Sequence, residues 1–336
     1  MRILIATDAW HPQVNGVLRT LLAMSRAIER LGARVSFLAP DGMRTVGLPS
    51  YGDIRLGLPR RGEIAQRIAD VRPDAIHVAT EGSIGHLVRL HCLHRRRPFT
   101  TSFHTRFADY VAARWPIPES LSWAWLRWFH NAGRATMAST PSLMDELRAR
   151  GFRKVLRWPR GVDADLFRPR RGAALGVPGP VFLGVGRLAV EKNIDAFLCL
   201  DLPGTKVVVG DGPARAVLSR RYPDALFLGE KQGEELAAIY AAADVFVFPS
   251  RTDTFGLVLL EALASGTPVA GFPVAATRDV IGSAPVAALD EDLRAACLGA
   301  LSIPRTACRA HAETLTWEES ARCFVSNLET AGVCVR

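Results

Sequence analysis

Asp253 and Glu261 stand eight positions apart in residues 250–266, SRTDTFGLVLLEALASG, on either side of a Thr-Phe-Gly turn. FGLVLLEALASG is apolar on nearly all sides, which predicts a buried helix with Thr254 as its N-cap. Asp253 then lies in the loop at the helix mouth. Glu261 falls about one and a half turns inside, at roughly 1.5 Å per residue. A carboxylate on such a helix needs a partner, because burying it unpaired is costly. Ribose hydroxyls would satisfy Glu261 and sugar hydroxyls Asp253. The competing reading pairs Glu261 with an arginine and leaves Asp253 to help cap the helix.

Two cations form the second constellation. GVGRLAVEKNIDAFL (184–198) sets Arg187 and Lys192 between a buried strand and a helix. A guanidinium fork and a compact ammonium suit a nucleotide diphosphate leaving group, whose negative charge grows as its bond breaks. The alternative is a solvated loop with an incidental Glu191–Lys192 pairing. Near the amino terminus, Asn15-Gly16 precedes a helix with apolar positions at Val17, Leu18, Leu21, Leu22 and Met24 and a stop at Gly32. Gly16 at that helix mouth lets backbone N–H groups approach a phosphate, although Asn-Gly is also an ordinary turn.

Short β-branched runs alternating with helical stretches must position these residues, the pattern of parallel sheets covered by helices. A first series is RILIAT (2–7), RVSFLAP (34–40), AIHVAT (75–80), PFTTSFH (98–104) and ATMAST (135–140). A second is VFLGVGR (181–187), KVVVG (206–210), ALFLGE (225–230), DVFVFPS (244–250) and PVAGF (268–272). The Pro-, Gly- and Arg-rich FRPRRGAALGVPGP (167–180) reads as the linker. The expected fold class is α/β, with two Rossmann-like doubly wound domains in tandem at 1–168 and 169–336. Ligands of such sheets sit beyond the strands' carboxyl ends, so two domains facing each other leave a cleft.

The 336 residues, 49% hydrophobic, are enough for two cores. No stretch reaches the roughly 18 apolar residues of a spanning helix, and the apolar start is short for a signal segment. A cytoplasmic location is expected. Six cysteines without a Cys-x-x-Cys argue against a disulfide framework or zinc knuckle. Residues 1–168 carry 26 Lys and Arg against 14 Asp and Glu, whereas the remainder carries 16 against 19. A basic first half suggests an anionic partner surface.

Taken in order, TDAWHPQVNGVLRTL, SFHTRF, PRGVDADLFRP, GVGRLAVEKN, VVVGDGP, FLG and ADVFVFPSRTDTFGLVLLEALASGTPVA make the chain resemble the retaining, GT-B-fold glycosyltransferases of family 4 over nearly its whole length. The resemblance implies an acceptor-side first domain and a second domain that binds a nucleotide-sugar donor. The last helix, TWEESARCFVSNLETAG (316–332), would cross back to the first domain. It further implies that Arg187 and Lys192 hold the donor diphosphate, that Gly16 offers it backbone N–H groups, and that the Phe255-Gly256-Leu257 backbone faces diphosphate and sugar. Glu261 would bind the ribose. His104, in SFHT, would contact the donor sugar or diphosphate, although a histidine at a strand end is also an ordinary hydrogen-bonded residue. The family pattern has glutamate where this chain has Asp253, which keeps the charge but is one methylene shorter; either a different donor sugar or a small loop shift would accommodate it, and the sequence does not set which.

The chemistry implied is front-face attack, the acceptor hydroxyl entering on the side the diphosphate leaves, with no dedicated nucleophile or base; retaining hydrolases instead flank the bond with two carboxylates. Asp163-Ala164-Asp165 spells a metal-binding Asp-x-Asp far in sequence from the donor motifs and reads as a chance match. No metal or other cofactor is expected, Arg187 and Lys192 taking that electrostatic role.

For the acceptor, Arg95–Arg97 form a run, and RWPIPESLSWAWLRWFHNAGR (114–134) interleaves Trp115, Trp123, Trp125 and Trp128 with Arg114, Arg127 and Arg134. Such a segment suits an anionic membrane interface; its tryptophans equally suit a core. Single-stranded nucleic acid would fit the same interleaving, but the donor motifs argue against nucleic acid. Within the family the chain is similar to the branch of mannosyltransferases and lipid glycosyltransferases, which implies glycolipid biosynthesis: a lipid acceptor such as diacylglycerol or a phospholipid, and peripheral attachment to the inner face of the membrane. A soluble polysaccharide acceptor, a sugar-nucleotide epimerase and a non-catalytic binding module are the alternatives. EKN and TFGLVLLEA weigh against the second, and the retained Arg187, Lys192 and Glu261 against the third. The nucleotide base, the sugar, the acceptor hydroxyl and the oligomeric state are not set by the sequence.

Overall fold

A computed structural model of the chain describes residues 1–11, 15–48, 51–106 and 118–334. They form two compact units, Met1–Arg160 with Trp317–Arg336, and Gly161–Thr316.

In the first unit the chain runs β1 (Arg2–Ala6), α1 (Gly16–Arg30), β2 (Arg34–Leu38), an antiparallel pair β3 (Thr45–Leu48) and β4 (Tyr51–Gly57), α2 (Arg61–Val71), β5 (Ala75–Val78) and α3 (Ser83–His94). It continues through β6 (Thr100–Ser102), α4 (Glu119–His130), β7 (Thr136–Ala138), α5 (Pro141–Ala149) and β8 (Val155–Arg157). Six parallel strands order as β2-β1-β5-β6-β7-β8. β5 is buried along its whole length and β1 at all but its first residue, as central parallel strands covered on both faces must be. α1 turns Leu18, Leu21, Met24 and Ile28 inward at helical spacing. α5 starts on Thr140, whose hydroxyl accepts the Leu143 N–H at 3.3 Å, with Pro141 in the first turn.

The second unit repeats the plan: β9 (Val181–Val185), a 3₁₀ turn (Val190–Lys192), α6 (Ile194–Leu198), β10 (Thr205–Val209), α7 (Arg215–Arg221), β11 (Leu226–Phe227), α8 (Gly233–Ala242) and β12 (Val245–Phe248). Then come α9 (Leu257–Ala264), β13 (Val269–Gly271), α10 (Ala275–Ile281), β14 (Ala287–Leu289), α11 (Leu293–Ala300) and α12 (Arg305–Glu313). Its parallel strands order as β11-β10-β9-β12-β13-β14. The final helix, α13 (Trp317–Thr330), belongs to the first unit, where it packs on α1. Its Phe324 ring lies 4.9 Å from both His77 and Trp158.

The units divide at Arg160/Gly161, earlier than the 168/169 boundary drawn from composition. The Val162 N–H donates to Leu315 O at 3.0 Å, Phe167 is buried against Tyr240, and the Arg309 guanidinium donates to Ala164 O and Phe167 O. The Pro- and Gly-rich stretch is likewise no free linker, since Leu175 and Val177 pack on the second unit's core. Asp163 accepts the N–H groups of Asp165 and Leu166, a turn-forming role. No cluster of three or more metal-ligating side chains exists among the described residues, and none of the helices described is long and apolar enough to cross a membrane. Cys92, Cys297 and Cys308 are buried and all six cysteines are free.

Close approach of the loops after β9 and β10 fixes one glycine. Gly210 has φ +137°, and a Cβ there would meet the Gly186 carbonyl oxygen at 1.9 Å. Gly210→Ala should therefore lower the urea midpoint by more than about 1 kcal/mol of stability. Gly62→Ala, in α2 with nothing within 4 Å of its Cβ, should raise it by up to about 1 kcal/mol. Equal midpoints for the two variants would contradict the packing described.

Candidate active site

In the second unit β9 and β12 are neighbours, but β9 leads on to β10 at one side and β12 to β13 at the other. The loops beyond their carboxyl ends therefore diverge, which opens the crevice where doubly wound sheets bind ligands. Three contacts stitch these loops together. Asn193, held at φ 52°, donates its amide to Pro249 O at 3.0 Å; the Thr252 hydroxyl donates to Glu191 O at 3.3 Å; and Lys192 Nζ donates to Asp253 Oδ1 at 2.5 Å. Arg187, half-buried, stands on the same loop as Lys192. Two residues 61 positions apart in sequence thus form one ion pair, largely withdrawn from solvent. The other carboxylate oxygen, Asp253 Oδ2, is buried and has no hydrogen-bond partner among the described residues. A buried acceptor left unpaired is costly, and a hydroxyl donor would satisfy it.

The helix beyond this loop begins later than its sequence suggests. Gly256, at φ +83°, is the N-cap and α9 starts at Leu257, so Thr254 does not cap it. A Cβ at Gly256 would sit 3.0 Å from Phe248 Cζ, and Phe255 packs on the core. No cap side chain bonds the first turn of α9, so among the described residues the backbone N–H groups at the Phe255-Gly256-Leu257 corner have no side-chain acceptor. Glu261 is 5% exposed, and the fully buried Tyr240 on α8 donates its phenol to Glu261 Oε2 at 3.1 Å. Tyr240 was not singled out in the sequence.

The first unit has its own switch point, between β1 and β5. The buried Asp8 carboxylate accepts hydrogen bonds from the Thr80 and Ser83 hydroxyls and from the N–H groups of Ile84 and Gly85. Burial raises its pKa, against the pull of those bonds. The N-terminus of α3 is thereby already occupied by a carboxylate. α1 differs: Asn15 Oδ1, a neutral cap, accepts the Leu18 N–H at 2.9 Å, and Gly16 is exposed, with nothing among the described residues within 4 Å of a Cβ. Of these two helix mouths, α1 is the one with no carboxylate on it among the described residues, so its dipole stays available to an anion.

His104 follows β6 and is held at both ring nitrogens. Arg160 Nη2 lies 3.3 Å from Nδ1, and Ser102 Oγ lies 2.8 Å from Nε2. A guanidinium only donates, so Nδ1 accepts and the ring proton sits on Nε2, directed at Ser102 Oγ. Ser102 Oγ also meets His77 Nε2 at 3.0 Å, and His77 Nδ1 meets Thr100 Oγ1 at 2.9 Å. Burial, aided by Arg160 and His130, pulls the His77 pKa down to about 3. Burial, then Arg160, His77 and His130, hold His104 well below the usual histidine range. His104 is thus a neutral imidazole suited to hydrogen bonding.

Arg160 itself is 4% exposed, donates from Nη1 to Trp158 O at 2.7 Å, and lies 4.1 Å over the Trp158 ring. No carboxylate pairs with it among the described residues, and burial pulls its pKa to about 9. Arg160, Ser102 and His77 escaped sequence reasoning. Their signal was present only in PRGVDADLFRP and in the polar residues of otherwise buried strands.

These neutral histidines set a pH dependence. The unfolded chain protonates histidine below about pH 6.5, whereas folded His77 stays neutral to about 3, so stability is complete above 6.5 and is lost as pH falls through that window. The cost is up to about 1.4 kcal/mol per pH unit for each such histidine. Urea midpoints should fall between about pH 7 and pH 5, and His77→Asn should flatten the slope. An unchanged slope in that variant would contradict a neutral buried His77.

Residues 14–166 match Glycosyltransferase Family 4, and residues 179–302 match Glycosyl transferases group 1. The chain is 33% identical over 311 residues to a GDP-mannose-dependent alpha-mannosyltransferase of Mycobacterium tuberculosis, covering 84% of this chain and 81% of that protein. It is 28% identical over 383 aligned positions to the GDP-mannose-dependent alpha-(1-6)-phosphatidylinositol dimannoside mannosyltransferase of the same species, covering 100% of this chain and 98% of that protein. Sucrose-phosphate synthase of Thermosynechococcus elongatus shares the fold with a TM-score of 0.80 at 18% identity, across 99% of this chain and 100% of that one. Family matches on both halves, and a relative one-third identical over most of both proteins, place the chain in glycosyltransferase family 4: it is a GT-B-fold glycosyltransferase.

Proposed function

We propose that this enzyme moves a hexose from a nucleotide diphosphate sugar to a membrane lipid with retention of configuration, and that GDP-mannose is the first donor to test. The observation that carries the reading is the Lys192–Asp253 pair at the second unit's switch point, with Asp253 Oδ2 buried and unpartnered among the described residues. A diphosphate draws Lys192 and Arg187 to its oxygens, and a hydroxyl of the transferred sugar donates to the Asp253 carboxylate. Glu261, steadied by Tyr240, accepts from the ribose. The N-terminus of α1 at Gly16 offers N–H groups to the diphosphate, as does the Phe255-Gly256-Leu257 corner. His104, neutral, reaches the sugar or the diphosphate by exchanging its Ser102 contact for a donor oxygen, and does not act as an acid.

In the reaction the acceptor oxygen bonds to the anomeric carbon on the face from which the diphosphate oxygen departs. The acceptor's proton passes to the leaving diphosphate. Arg187 and Lys192 stabilise the charge that builds there, the role a metal ion fills in other transferases, and no cofactor is invoked. Support for a GDP-mannose donor comes from both mycobacterial relatives, whose names specify it, and support for a lipid acceptor from the second, whose name specifies phosphatidylinositol dimannoside. Peripheral contact with an anionic membrane, on its cytoplasmic face, follows from the same reading and from the basic first half of the chain.

With GDP- and UDP-sugars and a membrane lipid extract, nucleoside diphosphate release should depend on lipid and yield a glycolipid. Arg187→Ala and Lys192→Ala should each lower turnover on the order of a hundredfold or more in proteins that still fold; Lys192→Ala, which leaves Asp253 without its ion-pair partner, should also lower the thermal midpoint. Full rates in both variants would remove the diphosphate clamp; lipid-independent release would point to a soluble acceptor.

A further inference from the structure

α4 has two apolar faces where a helix covering a sheet needs one. Trp123, Leu126, Phe129 and His130 are buried inward. On the other side Leu121 and Trp128 are 61% and 55% exposed, with Trp125 half-buried between them. Trp115 and Arg114 lie outside the described residues. The His86 ring of α3 stands 5.5 Å from Trp125 and 6.0 Å from Trp128, and Leu90 and Leu93 follow His86 on α3, both exposed. The two helices thus present one apolar patch with aromatic rings at its centre.

A cavity of about 400 Å³ opens at the end of this patch, lined by Arg89, Arg127, Arg153, Trp128, Asn131 and two alanines, with no carboxylate among the described residues. Arg89 donates to Phe129 O and Trp128 O at the end of α4 and lies 3.8 Å over the Trp128 ring. Arg127 donates to Arg150 O. Asn131 holds the Arg153 backbone N–H at 2.9 Å and donates to Gly151 O, fixing the loop that carries Arg153. None of the three arginines has an ion-pair partner among the described residues. Nearby Arg106 and Arg150 are, by contrast, both paired with Glu146. Arg95 and Arg96, exposed at the end of α3, add charge on the same side.

We propose that this cavity receives the phosphate headgroup of an anionic phospholipid while Leu90, Leu93, Leu121 and Trp128 enter the headgroup–acyl boundary, making α3 and α4 the enzyme's membrane-docking surface. The inference rests on the lipid-acceptor reading and gives it a place. Guanidinium forks match phosphate oxygens, tryptophan suits the interface, and an acid-free basic cavity beside an apolar stripe fits a surface that carries negative headgroups above acyl chains. The cavity is separate from the reacting groups. In a parallel sheet α4 returns from the strands' carboxyl edge, where Gly16 and His104 lie, to the amino edge before β7, so it ends about 18 Å from where it began.

The test uses the full chain and vesicles of phosphatidylcholine with or without phosphatidylglycerol. Wild type should bind the anionic vesicles, more weakly in salt and far less to neutral ones. Arg127→Ala with Arg153→Ala, both at exposed positions, should weaken that binding about thirtyfold, as should Leu121→Ser with Trp128→Ser. Both double variants should keep wild-type diphosphate release on detergent-dispersed lipid. Unweakened vesicle binding in the variants overturns the surface, and so does competition by free inorganic phosphate without vesicle binding. Dimerisation lost in Leu121→Ser/Trp128→Ser would assign the patch to a second copy instead, and a matching loss of detergent activity would assign the arginines to the acceptor site. Vesicle binding that depends on these residues, in a protein that transfers to no lipid, would uphold the surface while the lipid-acceptor reading falls.

Discussion

The ion pair between Lys192 and Asp253 joins two loops that the sheet topology drives apart. At a switch point the chain leaves neighbouring strands in opposite directions, so nothing in the backbone ladder holds the loops together. Asn193 in a left-handed conformation and Thr252 supply neutral stitches; the ion pair supplies the charged one. In the proposed mode a donor exchanges partners here. Lys192 turns to the diphosphate, and the carboxylate, one oxygen already unpaired, accepts from the sugar. The same pair then serves as closure in the unliganded protein and as reader of both ends of the cleaved bond. Aspartate at this place, shorter than the glutamate of the resembling family, reaches Lys192 directly.

The first unit solves a different electrostatic problem. It buries an arginine with no carboxylate partner among the described residues, and offsets the cost with a carbonyl, an indole face and a histidine nitrogen. Because a guanidinium cannot accept, this choice determines the tautomer of His104, and Ser102 and His77 carry the consequence inward. Asp8 plays the complementary part by occupying the N-terminus of α3, while no carboxylate among the described residues occupies that of α1.

Ten strands and the order of the two sheets' series were legible in β-branched runs. β8, β14 and the β3–β4 pair were not, because VLR and AAL are three-residue strands without such a run and are called into the sheet by their neighbours. Composition placed the boundary too late, since Val162 and Phe167 are held by the second unit's core. Thr254 looked like a cap because its type is right, yet the left-handed Gly256 decides where α9 begins. Arg187, Lys192, Asp253 and Glu261 could be singled out from residue type, but the Lys192–Asp253 contact spans 61 positions and the Arg160–His104 contact 56, distances that no local pattern reports. The tryptophans of α4 divide as helix geometry requires, Trp123 inward and Trp128 outward.

The most direct test of the donor site is calorimetric: titration of GDP, UDP and their nucleosides into wild type and Lys192→Ala. A lysine that grips the diphosphate predicts a loss of at least about tenfold in affinity for the preferred nucleoside diphosphate and no change for its nucleoside. Equal diphosphate affinity in the two proteins would contradict the account.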